Sequence, residues 1–123
     1  MEMKLELVAV PVADVDRAKA FYTDQVGFAV DVDHQVPGGP RFVQLTPPGS
    51  ACSVVIGAGT TEMAPGSQKG LLMVVADADA ARAELAARGV DVSAVDQQPW
   101  GRFARFADPD GNTWALQQLP QRS

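Results

Sequence analysis

The chain has one cysteine, one histidine and one tyrosine in 123 residues. A lone Cys52 excludes an internal disulfide and fits a reducing compartment. There is no run of Lys or Arg, and the formal net charge is -5 with an isoelectric point near 4.6. Neither nucleic acid nor an anionic membrane is therefore an expected partner. No apolar stretch approaches the roughly 18 residues that would span a bilayer, and no basic-then-apolar leader opens the chain. The expectation is a cytoplasmic protein. Its size and composition, 46% apolar and 20% charged, suit one globular domain over residues 1–123 that folds alone or as a small oligomer.

What is present is repeated. Proline and glycine number only nine and eleven, yet Pro37, Gly39, Pro47 and Gly49 recur 62 residues later as Pro99, Gly101, Pro109 and Gly111. Gly27 recurs as Gly89 at the same offset. These residues fix backbone geometry, so a set of turns has been duplicated. At an offset of 63, Val12-Ala-Asp-Val-Asp-Arg-Ala-Lys-Ala20 matches Val75-Ala-Asp-Ala-Asp-Ala-Ala-Arg-Ala83. The first unit covers about 1–57 and the second about 70–120. Residues 58–69, rich in breakers and without apolar period, join them.

Each unit reads as a strand, a helix and three strands. In the first, residues 5–12 are β-branched enough for a strand ending near Pro11. Val15, Ala18, Phe21, Tyr22 and Val26 then fall at helical spacing, with Asp14 as cap and Gly27 as stop. Phe28, Val30, Val32, His34 and Val36 alternate with polar or small residues, the period of a half-buried strand, and this puts His34 on the apolar face. Residues 41–46 and 51–56 follow as strands around a Pro47-Pro48-Gly49-Ser50 turn. In the second unit, residues 71–75 form a strand and 78–88 a helix capped by Asp77 or Asp79 and stopped by Gly89. Strands at 90–95, 103–106 and 113–118 follow, the last entered through the tight turn Asp108-Pro109-Asp110-Gly111.

Two such units, with Pro11-Val-Ala-Asp-Val-Asp-Arg-Ala-Lys-Ala-Phe-Tyr22, Val26-Gly-Phe28 and Phe106-Ala-Asp-Pro-Asp-Gly-Asn112, resemble the vicinal oxygen chelate superfamily of glyoxalase, bleomycin resistance protein and extradiol dioxygenase. The resemblance covers nearly the whole chain. It implies an α+β glyoxalase/bleomycin resistance-like fold, in which two tandem βαβββ units curl their mixed sheets into a half-open barrel. The concave side of that barrel holds a ligand, often with a second subunit completing it, so a homodimer is expected.

Metal-dependent members of the family place His, Glu or Gln on the first and last strand of each unit. Aligned on the shared motifs, these positions here are Leu7, Ser53, Ala115 and Leu71 or a neighbour. Val8, Gly70 and Leu72 are no better as ligands, so neither metal nor cofactor is expected, and metal-dependent glyoxalase or dioxygenase chemistry is not. The cavity remains. Strand alternation lines it with Leu7, Ala9, Ala51, Ser53, Val55, Thr113, Ala115 and Gln117, a small and mostly apolar surface with a few hydroxyls and an amide. It suits an apolar or aromatic small molecule, although the same small residues would also let sheets pack closely.

Further candidates stand beside this lining. His34 is either an acid or base or a strand-end histidine meeting water. Trp100 and Arg102, at the entrance to the seventh strand, either cap a planar anionic ligand or plug the sheet edge. The loops at 37–40 and 99–101 are candidate lids. Cys52 and Trp114 should face the core, while Asp108, Asp110 and Asn112 have turn chemistry rather than the spacing of a calcium loop. The favoured function is metal-free binding of a small molecule by Leu7, Ala9, His34, Ser53, Trp100, Arg102, Thr113, Ala115 and Gln117. The alternatives are a metal-independent isomerase, lyase or similar enzyme using His34, and an interaction module.

Overall fold

A computed structural model describes residues 1–121, so the last two residues of the expected 1–123 span lie outside it. The first unit runs β1 (Leu7–Ala9), α1 (Val15–Ala20), β2 (Ala29–Gln35), β3 (Arg41–Thr46) and β4 (Ser53–Ile56). A π-helical turn over Phe21–Val26 continues α1. The second unit runs β5 (Leu71–Val74), α2 (Ala78–Ala87), β6 (Asp96–Gln98), β7 (Gly101–Ala107) and β8 (Thr113–Gln118). The sheet orders are β1-β4-β3-β2 and β5-β8-β7-β6. In each sheet the opening strand lies parallel to the closing one, and the other pairings are antiparallel. The duplicated turns therefore carry a duplicated connectivity.

The helix signals act locally, as their chemistry requires. Asp14 and Asp77 accept the N–H groups of Arg17 at 3.0 Å and Ala80 at 3.1 Å, satisfying first-turn donors. Gly27 and Gly89 end the helical segments at φ of 98° and 88°, a left-handed conformation that strains other residues. α1 is also clamped to its sheet by charge. Asp33 on β2 accepts from Arg41 at 2.9 Å and from Lys19 of α1 at 2.8 Å, and Arg41 also holds Asp16 of α1 at 2.7 Å. The Arg41 and Lys19 hydrogen bonds keep the Asp33 carboxyl well below the usual carboxylate range.

Three expectations change. Residues 90–95 do not form a strand: Val90 and Val92 pack into the core, but ladder pairing with β7 begins only at Asp96. β2 is exposed along its whole length rather than half-buried, since it is the sheet edge. Its alternation also breaks. Val30 faces Leu45 and Val32 faces Gln44, so a β-bulge at Asp31 shifts the phase by one residue. Phe28 and Val30 thus belong to the helix side of the sheet, and Val32 and His34 to the other side.

One core joins the units. Val43, Leu45, Val54 and Ile56 of the first sheet meet Ala104, Phe106, Trp114 and Leu116 of the second, with Phe21, Tyr22, Phe28 and Leu85 between them. Each sheet spends one face on this core and turns the other away. Tyr22 is fully buried at its centre; its hydroxyl donates to Asp108 Oδ2 at 2.7 Å and accepts from Trp114 Nε1 at 2.8 Å.

Burial, then the neighbouring Asp108 charge, push the Tyr22 phenol far above its ordinary value of 10.0. A proton held more tightly by the folded chain stabilises it fully below that value, and the benefit is lost as pH rises above it. Tyr22 is the only tyrosine, so tyrosinate absorbance should appear only as the protein unfolds in alkali. Tyr22→Phe should remove this alkaline dependence and cost about 1–3 kcal/mol at neutral pH by leaving buried partners unsatisfied. Urea denaturation across pH checks both.

Candidate functional site

Directly opposed residues of neighbouring strands share a face, so the outward faces follow from the register. With Val43 and Leu45 in the core, Phe42, Gln44 and Thr46 point outward. Val55 lies opposite Gln44 and Ala9, and Leu7 lies opposite Ser53, which places Leu7, Ala9, Ser53 and Val55 together as the alternation predicts. His34 joins the same outward face, opposite Phe42. Among the described residues no side-chain hydrogen bond orients its ring. Phe42 and Thr46 are four residues apart on β3, so His34 stands about 13 Å from the Ser53 end.

At that end lies a polar chain that strand alternation did not reveal. Thr46 Oγ1 hydrogen-bonds Asp31 and lies 2.6 Å from Ser53 Oγ. Asp31 is the outward alternate of core-facing Val30 and reads in the pattern as an ordinary polar residue, while the bulge after it, which turns Val32 and His34 to the same side, has no mark in the apolar pattern.

The second sheet presents Leu72 and Val74 of β5, Thr113, Ala115 and Gln117 of β8, and Phe103 and Arg105 of β7. Leu72 and Val74 are 53% and 62% exposed. The Arg105 guanidinium lies over the Phe103 ring at 5.4 Å and pairs with Asp96 at 3.4 Å. A shallow hollow of about 500 Å³ here is lined in part by Gly70, Arg105, Thr113 and Ala115. A second cleft, of about 550 Å³, lies between the 47–50 turn, β5 and α2, and none of the expected contact residues lines it.

Trp100 and Arg102 do not converge. Pro99 and Trp100 form a two-residue hairpin between β6 and β7, and Trp100 projects 61% exposed. Gln117 Nε2 donates to its carbonyl at 3.0 Å. Arg102 lies one step along β7 on the helix side, where Nη2 meets both oxygens of Asp79 at 2.8 and 3.0 Å. The repeat with Gly39 also fails in detail. Gly101 adopts φ 142°, and a Cβ there would sit 2.4 Å from the Gln118 carbonyl, whereas Gly39 has an ordinary φ within a longer turn. Trp114 is buried as expected, while Cys52 is only half-buried.

The four positions that bear metal ligands in metal-dependent relatives can now be placed. Leu7 lies opposite Ser53, and Leu72 opposite Ala115. Leu71 faces the helices beside Trp114, so its neighbour Leu72 is the outward residue. Three hydrocarbons and one hydroxyl do not fit a divalent cation, which takes imidazole, carboxylate or thiolate. Among the described residues, no three His, Cys, Asp or Glu side chains are grouped to hold one.

Two four-stranded βαβββ sheets, each covered on one face by a shared helical core and open on the other, define the glyoxalase class of α+β proteins. Residues 4–116 match the Glyoxalase/Bleomycin resistance protein/Dioxygenase superfamily, and the chain belongs to it. The structure is similar to that of TnmS3, an antibiotic binding protein from Streptomyces sp. CB03234, at 41% identity and a TM-score of 0.87, covering 97% of this chain and 98% of that one. A glyoxalase/bleomycin resistance protein from the same organism is 43% identical with a TM-score of 0.82, covering 94% and 100% of the respective chains. The uncharacterized protein YetH of Bacillus subtilis (strain 168) is 29% identical over 122 residues, which are 96% of this chain and 100% of that protein.

From the donor set, added nickel, zinc or manganese should leave the melting temperature unchanged, because an ion that does not bind the folded state cannot stabilise it. A saturable upward shift in a thermal scan would contradict this.

Proposed function

We propose that the protein is a metal-free binding protein, a homodimer that holds a small apolar or aromatic molecule against its outward sheet faces. The observation that carries this reading is the hydrocarbon character of the positions where related proteins hold metal: Leu7, Leu72 and Ala115, with Ala9, Val55 and Val74 beside them. The 41% identity to an antibiotic binding protein supports it. Acid–base chemistry at His34 has less support, since among the described residues no side-chain hydrogen bond orients its ring.

The dimer follows from how ligands are enclosed. A binding cavity covers most of its ligand, but a single outward sheet covers one side. The two outward faces of one chain point away from their shared core and so cannot close on each other. A second copy related by a two-fold axis would set the first sheet of each chain against the second sheet of the other, giving two equal sites. It would also cover Val32 on the first outward face and Leu72 and Val74 on the second, apolar side chains exposed in one chain.

A panel of planar aromatic compounds should include some that bind saturably, stabilising the protein by about 2.7 kcal/mol at a hundredfold excess over Kd. Ala115→Phe, which fills the proposed cavity, should abolish binding with the melting temperature retained. In sedimentation the protein should run as a dimer, and Val74→Lys should yield folded monomers that no longer bind. A monomeric wild type, or a panel without saturable binding, would overturn the reading.

A further inference from the structure

We infer that the first sheet selects for ligands that donate a hydrogen bond, because the chain from Ser53 through Thr46 to Asp31 runs one way and leaves Ser53 as an acceptor. The inference rests on the proposed use of this face for binding.

The direction follows from counting hydrogens. The Asp31 carboxylate only accepts, so Thr46 must spend its single hydroxyl hydrogen on the contact it makes there. Thr46 then has none left for Ser53, 2.6 Å away, and Ser53 must be the donor of that second bond. The Ser53 hydrogen is thereby committed as well, and its Oγ offers lone pairs alone. Ser53 is only 5% exposed, so bulk water competes weakly with its bond to Thr46. Asp31 anchors the chain because it follows Val30, which faces Leu45 in the core, and so alternation sets it on the outward side beside Thr46.

The surroundings make the polarity matter. Ser53 stands beside Leu7, and Ala9 and Val55 continue the same face. In an apolar setting a polar ligand group without a partner costs free energy, whereas a matched pair does not. A phenol or another O–H or N–H group on an aromatic ring finds an acceptor at Ser53. An ether or carbonyl at the same place meets lone pairs and loses its water without replacement.

The test uses two probes with one ring, naphthol and its methyl ether, titrated by calorimetry against the wild type, Asp31→Asn, Thr46→Val and Ser53→Ala. The wild type should bind naphthol about tenfold more tightly than the ether, the scale of one hydrogen bond. In Asp31→Asn the amide can donate to Thr46, which releases the direction of the chain, and the preference should fall to about one. Thr46→Val and Ser53→Ala should remove it too, and they serve if Asp31→Asn does not fold. The ratio, and not the affinity, is the readout, since a purely structural role for Asp31 would weaken both probes alike. Equal binding by the wild type, or an unchanged ratio in the folded variants, would overturn the inference and leave the binding function standing. Failure of both probes to bind the wild type would overturn the inference, while the binding reading would still be decided by the wider aromatic panel.

Discussion

The buried carboxylate of Asp108 is the contact on which the arrangement of the two units depends. A charge removed from water is tolerated only when its oxygens are fully engaged. Here four donors engage it: the Tyr22 hydroxyl, Asn112 Nδ2, and the backbone N–H groups of Asp110 and Asn112. Tyr22 comes from the π-helical turn of the first unit and the others from the last turn of the second, so the carboxylate holds both. Asn112 extends the grip, donating to the Pro11 carbonyl at 2.8 Å and accepting from the Gln68 N–H at 3.0 Å. The segment between the units is thereby tied down. At Gly66 it passes so close to the Asp110 carbonyl that no side chain would fit.

Around this point the aromatic residues complete the joint. Tyr22 stacks on Phe28 at 5.3 Å, Trp114 stacks on Phe106 at 6.2 Å, and Tyr22 meets the Trp114 edge at 5.8 Å. Offset and edge-on contacts of this kind add to the stabilisation from burial. Because the units join through their helix-covered sides, their opposite faces are left open. The apolar outward surfaces and the buried polar joint are thus two consequences of one packing choice.

The two outward faces have diverged in chemistry while their frame has stayed duplicated. The first carries hydroxyls backed by Asp31, an accepting surface. The second carries the Arg105 guanidinium lying on Phe103, a surface that can donate. In the proposed dimer a ligand would lie between unlike walls, which would fix its orientation as well as its size.

Much of this was legible in the residues, and for a physical reason. Asp14, Asp77, Gly27 and Gly89 act on backbone within a few residues of themselves, so helix starts and stops could be read directly. The duplicated prolines and glycines carried the two-unit plan in the same local way, and the family motifs assigned its fold. The identity of Leu7, of Leu71 and its neighbours, and of Ala115 needed no coordinates to argue against a metal centre, whereas the choice of Leu72 as the outward residue came from the register. Other features depend on partners distant in the chain. Val90 and Val92 have a strand's composition but are claimed by the core, and Arg102 turns to Asp79 on α2 rather than toward Trp100. The bulge at Asp31 is a matter of register between β2 and β3, and register is set by pairing across strands. Local geometry was therefore determined by the sequence itself, while the choice of which face each polar side chain occupies was made only when the strands met.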